Sequence, residues 1–296
     1  MTSVDVTLCT FRRPMVRDTL ASLGRLDLPV GVSLRIIVAD NDEDPSAKPV
    51  VAEAAADLAF PVAYVHAPAR NISIARNAGL DAATADWVAF LDDDEFADPT
   101  WLSRLLARAS ETGADAIFGP AIAEYGPEAP EWMVRQDHHS NRPVRRDGEV
   151  ETGHTCNALL RWSGTPWQDE RFDLARGRSG GEDTEFFFRL RRMGARFEEA
   201  EDAIVREAVQ PDRLDLNWIL RRKYRAGQSH AARAKSGSER LKLAMLAFGK
   251  LLACGIGAAL SILSEERRNF WTLRGAMHLG VISGCLRMRQ PEIYGH

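Results

Sequence analysis

The sequence predicts an α/β protein with a mostly parallel, doubly wound sheet flanked by helices, followed by a helical C-terminal extension. Two observations support this fold class. As far as residue 122, short runs of apolar and β-branched residues alternate with amphipathic segments of helical length, and this alternation favours parallel strand pairing. The longest apolar stretches lie after residue 236 and have helical rather than strand length.

The strands and helices follow from this alternation in chain order. Strands are predicted over 3–10, 32–40, 61–67, 86–92 and 114–122, with helical segments between them. Residues 124–150 are rich in proline, charge and histidine, and they predict a long loop. Downstream, the pattern predicts a strand over 151–162, a glycine-rich loop that leads into a helix within 178–194, and a strongly basic helix over 217–237.

Composition excludes several classes of protein. The cysteines are far apart in the chain and form no CxxC pair, which argues against a zinc site or a disulfide framework. The N-terminus has no signal-peptide pattern, so a reducing cytoplasm is the expected compartment. Residues 1–210 hold 23 basic and 36 acidic residues, whereas residues 211–296 hold 15 basic and 6 acidic ones. Because the basic part also carries the apolar runs and no nucleic-acid-binding motif, we expect a membrane surface as partner and no nucleic acid.

The run of acids from Asp92 to Glu95 is the first candidate site, because it follows directly on a predicted buried strand. Strand alternation predicts that Asp92 and Asp94 point to one face. Two carboxylates in that arrangement suit a hard divalent cation, Mg²⁺ or Mn²⁺, that keeps positions for substrate phosphates. A solvated acidic turn explains the same residues, and the pattern alone leaves the two interpretations open.

Five segments in this order and spacing resemble family 2 glycosyltransferases of the GT-A fold: "TFRRP", "VADND", "ISIARNAG", "FLDDDE" and "GGEDTEFFFRLRRMG". The resemblance covers about residues 3–235. It implies a nucleotide-sugar donor, usually a UDP-sugar, and transfer with inversion at the sugar. It also implies a nucleotide pocket lined by Thr10, Arg12 and Asp40.

Further roles are implied by position in the same motifs. Arg76 and Asn77 would support the nucleotide and the acid run, Asp92 would contact ribose and metal, and Asp94 would ligate the metal. Asp183 would be the general base, with Glu182 beside the acceptor. An inverting transfer needs such a carboxylate to take the acceptor proton. The simpler alternative is that Glu182 and Asp183 only complement the dipole of the helix that they begin.

Two departures from the family pattern bear on the chemistry. The chain has no QxxRW motif, which favours the addition of one sugar per event over processive synthesis. Glu207 stands near the position where relatives often place a metal-binding histidine, so either it ligates the metal or that ligand is missing. The pattern of Glu207, Arg213, Arg222 and Gly227 is similar to bacterial exopolysaccharide and lipid-linked oligosaccharide transferases, including the succinoglycan type.

Two other polar or aromatic side chains leave alternatives open. Asn157 either faces the donor sugar or is a polar residue of an edge strand. Trp132, in the predicted long loop, either stacks on a sugar ring or packs the loop against the domain.

The sequence therefore predicts a catalytic GT-A domain over 1–235 and a helical tail over 236–296. The expected activity is metal-dependent, inverting and non-processive transfer of a sugar from a nucleotide sugar to a lipid-linked oligosaccharide or polysaccharide precursor. One alternative is a catalytically silent nucleotide-sugar-binding or scaffold protein. Another is a sugar nucleotidyltransferase, although "LCTFRRP" lacks the glycines that such an enzyme uses to grip a triphosphate.

The tail predicts association with the cytoplasmic face of the membrane, as a peripheral or monotopic protein. Residues 243–263 carry one charge, that of Lys250, but glycines interrupt the run and weaken a lone spanning helix. The favoured interpretation is a hairpin that lies in or dips into the leaflet, and the alternative is a helical pair packed on the domain. The cations of the preceding basic helix are expected to face anionic headgroups; they are Arg221, Arg222, Lys223, Arg225, Arg233 and Lys235.

Overall fold

A computed structural model of the protein describes residues 1–231, 234 and 236–288. The strands in these residues are β1 (Thr2–Thr10), β2 (Val32–Asp40), β3 (Val62–His66), β4 (Trp87–Asp92), β5 (Glu95–Ala97), β6 (Ala116–Phe118), β7 (Ala121–Glu124), β8 (Val144–Arg146), β9 (Glu149–Thr152), β10 (Asn157–Arg161), β11 (Phe197–Glu199) and β12 (Val205–Ala208).

The helices in the same residues alternate with these strands through the first half of the chain and dominate its end. They are α1 (Val16–Leu23), α2 (Lys48–Ala56), α3 (Ile72–Ala82), α4 (Trp101–Thr112), α5 (Glu131–Gln136), α6 (Glu182–Arg192), α7 (Leu216–Ala231), α8 (Gly237–Leu260) and α9 (Glu265–Cys285). Single 3-10 turns occur at Leu174–Arg176 and Pro211–Arg213.

The main sheet has seven strands in the order β11-β6-β10-β4-β1-β2-β3. Its strand pairs are parallel except that β10 runs antiparallel to β4 and β6. A second sheet has the order β5-β12-β7, and β8 and β9 form a hairpin. The predicted α/β fold with a mostly parallel sheet between helices is therefore confirmed.

Side-chain alternation along the strands builds an apolar layer on each face of the main sheet. In β4, Ala89 and Leu91 join the layer that contains α1 and α4, whereas Val88 and Phe90 join the layer that contains α3 and α6. All four side chains are buried. Because helices cover both faces of the sheet, a ligand can reach the sheet only at the ends of its strands, where polar groups lie.

Residues 124–150 do not form the predicted long loop. They contain the short helix α5, which buries Trp132 and Met133, and then β8 of the hairpin. Asp147 and Gly148 connect β8 to β9 with φ angles of 52° and 89°. An Asp-Gly pair between two short strands is the sequence signal of this turn, and the charged strands around it had obscured that signal.

The predicted strand over 114–122 is also divided. The chain leaves the main sheet after Phe118 and enters the second sheet at Ala121, so that β6 and β7 belong to different sheets. Gly119 and Pro120 stand between them, and both residue types mark breaks in a strand.

The three C-terminal helices pack in series, α7 on α9 and α9 on α8. The α7–α9 contact is close because it is made by glycines, and a Cβ at Gly280 would collide with the carbonyl oxygen of Tyr224. The hydroxyl of Ser283 accepts from the Tyr224 hydroxyl at 2.7 Å and from the Gln228 amide at 3.0 Å. Packing thus crosses residue 235, and the division into two domains there stays a prediction.

Helix α8 is continuous despite its glycines, and it begins with a capping box made by Ser236 and Glu239. Among the described residues, it is the helix that is long and apolar enough to cross a membrane, by length and composition alone. One side packs on α9 through Ala247 and Cys254, but most of the helix is exposed. Leu260 is 83% exposed, which leaves a large apolar surface without a partner.

We expect Gly280→Ala to destabilise the protein, because the new methyl group would force α9 away from α7. Overpacking of this kind costs about 1–3 kcal/mol. The matched control is Gly249→Ala in α8, where an added Cβ meets nothing within 4 Å. That change should be neutral or stabilise by up to about 1 kcal/mol through helix propensity. Thermal unfolding of both variants measures the difference, and equal melting temperatures would contradict the close packing.

Candidate active site

The predicted site residues converge at the carboxyl edge of the main sheet. Thr10 ends β1, Asp40 ends β2 and Asp92 ends β4, and these three strands are neighbours. Thr10 is paired in register with Asp40, and Cys9 with Asp92. Ligands of doubly wound sheets bind beyond this edge, so the fold brings these side chains to the expected place.

The acid run is a turn rather than a continuation of the strand. Asp92 is the last residue of β4, Asp93 and Asp94 form the turn, and Glu95 begins β5. The Glu95 carboxylate accepts from the backbone N–H of Asp92 at 2.9 Å, and the Thr19 hydroxyl donates to the carbonyl of Asp93 at 2.9 Å. Because the strand ends at Asp92, side-chain alternation does not account for the position of Asp94.

Arginines of the chain itself offset the negative charge of this turn. Arg13 forms an ion pair with Asp94 and lies 3.4 Å from an oxygen of Asp93. Arg213 lies 3.4 Å from Asp94 and pairs with Glu207 on β12. The acid run is therefore a paired network, and not an acidic turn that is neutralised by solvent alone.

The pairing leaves an excess of negative charge in the buried part of the turn. Burial, reinforced by Asp94, raises the pKa of Asp93 to about 7. Burial and the charge of Asp92 raise the pKa of Glu95 well above its usual range. Asp93 Oδ2, Glu95 Oε1 and Glu182 Oε2 are buried without a hydrogen-bond partner. Such oxygens favour a further proton or cation nearby.

The donor set fits a divalent cation that is shared with a diphosphate. In the described part of the chain, no three His, Cys, Asp or Glu side chains converge as a complete metal site. Mg²⁺, however, is typically held by one or two carboxylates together with substrate phosphates. Asp92, with 38% of its side chain exposed, and Asp94 could supply those two carboxylates. The contacts of Arg13 and Arg213 with Asp94 would then loosen.

A buried guanidinium joins the acid run to the predicted catalytic helix. Arg76 on α3, with 7% of its side chain exposed, pairs with Glu182 and lies 3.5 Å from Asp92. Its guanidinium also lies over the ring of Phe172, at 5.7 Å from the centroid. Removal of one partner of a buried pair costs about 3–5 kcal/mol, so Arg76 fixes the first turn of α6 against β4.

Asp183 lies in the first turn of α6 and is held from two sides. Its Oδ2 is 3.0 Å from Nδ1 of His154, and its Oδ1 accepts from the N–H of Thr184 at 2.6 Å. Burial opposes ionisation, but the hydrogen bond and charge of His154, the charge of Arg76 and the N–H of Thr184 together lower the pKa of Asp183. His154 was not among the predicted site residues, since no motif marks it and only the fold brings it to Asp183.

The residues predicted for the nucleotide pocket differ in exposure. Asp40 is fully buried, and its carboxylate accepts hydrogen bonds from the N–H groups of Asp42 and Ala47 and from the hydroxyl of Tyr64 at 2.7 Å. It therefore shapes the loop after β2. Arg12 is about half exposed and donates to Asp42 at 2.9 Å. Thr10 is buried at the base of this edge. Their roles toward a nucleotide stay predictions.

Two amides are engaged within the protein. The side chain of Asn77 exchanges two hydrogen bonds with the backbone of Phe172, at 2.7 and 3.0 Å, and so holds the segment that leads to α6. Asn157 donates to the carbonyls of Pro120 and Ala203 and accepts from the indole N–H of Trp101. It lies in β10, inside the main sheet, so the expectation of an edge strand was wrong.

Trp132 packs the loop against the domain rather than presenting a face for a sugar. It is buried in a cluster with Met133, Ile219 and Leu273. Of the two interpretations that the sequence left open, the structure supports packing.

The cations of α7 do not form one exposed surface. Arg221 is exposed, but Arg222, Lys223 and Arg225 are half-buried. Arg222 donates to the side-chain oxygen of Asn141 at 2.7 Å, and burial lowers the pKa of Lys223. The expectation that this helix faces headgroups therefore stays a prediction for these three residues, which are only partly exposed. Arg233 and Lys235 lie outside the described residues.

Comparison with known sequences identifies a family profile and several relatives that this chain resembles. The sequence profile described as "Glycosyl transferase family 2" matches residues 5–164. The chain is 44% identical over 295 residues to the "Succinoglycan biosynthesis protein ExoM" of Rhizobium meliloti (strain 1021), covering 99% of this chain and 96% of that protein. It is 28% identical over 220 residues to the "Pre-mycofactocin glycosyltransferase" of Mycobacterium tuberculosis, covering 72% of this chain and 45% of the relative.

Solved structures of similar fold include two with nucleotide ligands. The mannosyltransferase PcManGT from Pyrobaculum calidifontis, in complex with GDP-Man and Mn²⁺, aligns over 95% of this chain and 86% of its own, with a TM-score of 0.62 at 19% identity. TarS 1–349 of S. aureus, in complex with UDP, aligns over 99% and 98%, with a TM-score of 0.55 at 14% identity. At these identities the likeness concerns the fold alone.

The profile covers more than half of the chain, and the 44% identity to ExoM extends over nearly all of it. The predicted GT-A fold is confirmed, and the chain belongs to glycosyltransferase family 2 and is a glycosyltransferase.

Proposed function

We propose that the protein is an inverting, metal-dependent and non-processive transferase of exopolysaccharide biosynthesis. It would move a sugar from a UDP-sugar to a lipid-linked oligosaccharide or polysaccharide precursor. The observation that carries the proposal is the juxtaposition at one sheet edge of an ionised carboxylate, Asp183, with the pair Asp92 and Asp94. The buried Arg76 connects the two through Glu182 and Asp92.

Asp183 acts as the base in this mechanism. Its carboxylate takes the proton of the acceptor hydroxyl as the hydroxyl oxygen attacks the anomeric carbon of the donor sugar. The bond between that carbon and the diphosphate oxygen breaks from the opposite face, so the configuration inverts. The lowered pKa of Asp183 keeps this carboxylate ionised at neutral pH.

The departing diphosphate meets positive charge at the acid run. Asp92 and Asp94 would hold a divalent cation, which would supply positive charge to stabilise the leaving group. Arg13 and Arg213 now contact Asp94 and can turn toward phosphate oxygens as that contact loosens. Glu207 already pairs with Arg213, which favours a role in holding that arginine over a role as metal ligand.

The donor and acceptor in this proposal are inferred from the relatives and structural neighbours of the chain. TarS is described with UDP and PcManGT with GDP-Man and Mn²⁺, which supports a nucleotide-sugar donor and a divalent cation. The similarity to a succinoglycan biosynthesis protein over nearly the whole chain supports an exopolysaccharide precursor as acceptor. The missing QxxRW motif supports one transfer per event.

The tail suits a protein that lies on the cytoplasmic membrane surface. The outer face of α8 is apolar and exposed, with Leu252, Ile256 and Leu260 at 55%, 63% and 83%. Exposed cations occur on the same helix and on α9; they are Lys242, Lys250, Arg267, Arg268 and Arg274. Because α9 holds α8 side-on and is itself fixed to α7, α8 suits a position in the membrane plane better than across the bilayer.

We expect release of UDP from one or a few members of a panel of UDP-sugars, with GDP-mannose as the comparison donor. Release should require Mg²⁺ or Mn²⁺ and stop in excess EDTA. Asp94→Asn should lower the rate about 100-fold or more, because charge neutralisation at the leaving group is lost. Full activity in EDTA would contradict metal dependence. Failure to release nucleotide from any donor would favour a silent binding protein.

Asp183→Asn should preserve binding of the UDP-sugar and lower turnover by roughly 10²–10⁴-fold, the usual contribution of a general base. Glu185→Gln is the matched control, because Glu185 lies on the same helix and pairs with Arg189. Turnover is measured by product formation, and donor affinity by calorimetry. Normal turnover in Asp183→Asn, or normal turnover with lost donor affinity, would assign the base elsewhere.

Substitution of the α8 face by Leu252→Ser and Ile256→Ser should weaken sedimentation with vesicles that contain phosphatidylglycerol by at least about tenfold. Each Leu or Ile side chain that leaves water contributes roughly 1.5–3 kcal/mol. UDP-sugar hydrolysis should persist. The control pair is Val30→Ser and Met193→Ser, which changes exposed apolar residues away from the tail. Wild-type protein that stays in solution at low salt without detergent would contradict membrane binding.

A further inference from the structure

The contact between His154 and Asp183 joins two segments that are 29 positions apart in the chain. His154 lies in the connection between β9 and β10, and Asp183 in the first turn of α6. We propose that His154 is a positioning residue for the transfer reaction, whose imidazole holds the Asp183 carboxylate in the orientation that receives the acceptor proton. This inference rests on the proposed role of Asp183 as the base.

The hydrogen bonds at Asp183 constrain the carboxylate from two independent elements. Nδ1 of His154 contacts Oδ2 at 3.0 Å, and the N–H of Thr184 donates to Oδ1 at 2.6 Å. The Thr184 hydroxyl also donates to Oδ1, at 3.3 Å. An ionised carboxylate has about four acceptor positions, so these three bonds leave an acceptor position for a substrate hydroxyl. Both bonds from Thr184 reach the same oxygen from the carboxylate's own helix, whereas the bond from His154 reaches the other oxygen from another segment and so fixes the plane of the group.

The segment that carries His154 is itself firmly packed. A Cβ at Gly153 would collide with the ring of Phe118, so the backbone there lies directly against the core. Thr155 and Cys156 are buried on the other side of the histidine. His154 is half-buried between them, with 31% of its side chain exposed. Its position is therefore set by the fold, as a positioning role requires.

The charged and titratable groups that lie near Asp183 come from four segments of the chain. Arg76 approaches from α3, Asp92 from the end of β4, Glu182 from its own helix and His154 from the β9–β10 connection. Burial and the two neighbouring acids favour the protonated form of Asp183, whereas His154 and Arg76 favour the ionised form. Arg76 is already paired with Glu182, so His154 is the group of these four that donates a hydrogen bond to Asp183.

The orientation also assigns the tautomer of the imidazole. Since an ionised Asp183 can only accept, Nδ1 of His154 carries the hydrogen that points toward it. The hydrogen bond to Asp183 therefore requires only the hydrogen on Nδ1.

The test compares His154→Ala with His154→Asn, because an asparagine amide can place an N–H close to the position of Nδ1. We expect His154→Ala to lower kcat by roughly 10–100-fold, the scale of one hydrogen bond to a charged group, with the KM for the UDP-sugar nearly unchanged. His154→Asn should recover most of this loss. Thermal unfolding of both variants, alongside the wild type, checks that the fold is retained.

The pH profile supplies a readout that a purely structural role would not move. Without the histidine the pKa of Asp183 rises, and the base is lost at a higher pH as the pH falls. The acid limb of kcat/KM should therefore shift to higher pH in His154→Ala and much less in His154→Asn. An unshifted profile in His154→Ala, or His154→Asn as impaired as His154→Ala, would overturn the proposal.

Asp183→Asn in the same assay separates this inference from the function on which it rests. If Asp183→Asn retains normal turnover, the proposed base itself is wrong. If Asp183→Asn loses turnover while His154→Ala behaves as the wild type at every pH, the base stands and the positioning role of His154 fails.

Discussion

The buried guanidinium of Arg76 is the interaction on which the arrangement of the site depends. It pairs with Glu182 in the first turn of α6 and lies 3.5 Å from Asp92 at the end of β4. Arg76 and Glu182 are 106 positions apart in the chain. The buried positive charge of Arg76 nevertheless keeps both Glu182 and Asp92 close to it. Since an unpaired buried charge is costly, the pairing holds the first turn of α6, which carries the predicted base, close to Asp92, a predicted metal ligand.

The acid run retains negative charge that the protein compensates only in part. Arg13 and Arg213 compensate Asp94, but buried oxygens of Asp93 and Glu95 remain without partners. If every carboxylate oxygen of the turn were paired within the protein, a cation would bind there only weakly. If none were paired, repulsion between the acids would destabilise the turn. The intermediate state is suited to an exchange in which a metal takes over the carboxylates and the arginines become available to phosphate. This exchange is part of the proposed function.

The sequence predicts most of what depends on local pattern. Strand β2 spans the predicted residues 32–40, and the rule for strand ends brings the Asp92 turn and Asp40 to one edge, as observed. Features that depend on contacts between residues far apart in the sequence could not be predicted from local pattern. Helix α5 is too short for periodicity to reveal it, and nothing in the residues around His154 indicates that Asp183 lies 3.0 Å away. The buried hydrogen bonds of Asp40 and Asn157 likewise become visible only when the fold supplies their partners.

A series of contacts runs from the exposed helix α8 to the loop before α6. Helix α8 packs on α9, and α9 packs on α7 through Gly280. Helix α7 in turn supports the loop before α6, where a Cβ at Gly181 would collide with the hydroxyl of Ser229 and where φ is +80°. This loop begins the helix that carries Asp183. If α8 lies on a membrane as proposed, the series fixes the height and tilt of the active site above the lipid, as an acceptor attached to that membrane requires. A flexible tether could bind the same membrane surface, but it would not fix the orientation of Asp183 relative to that surface.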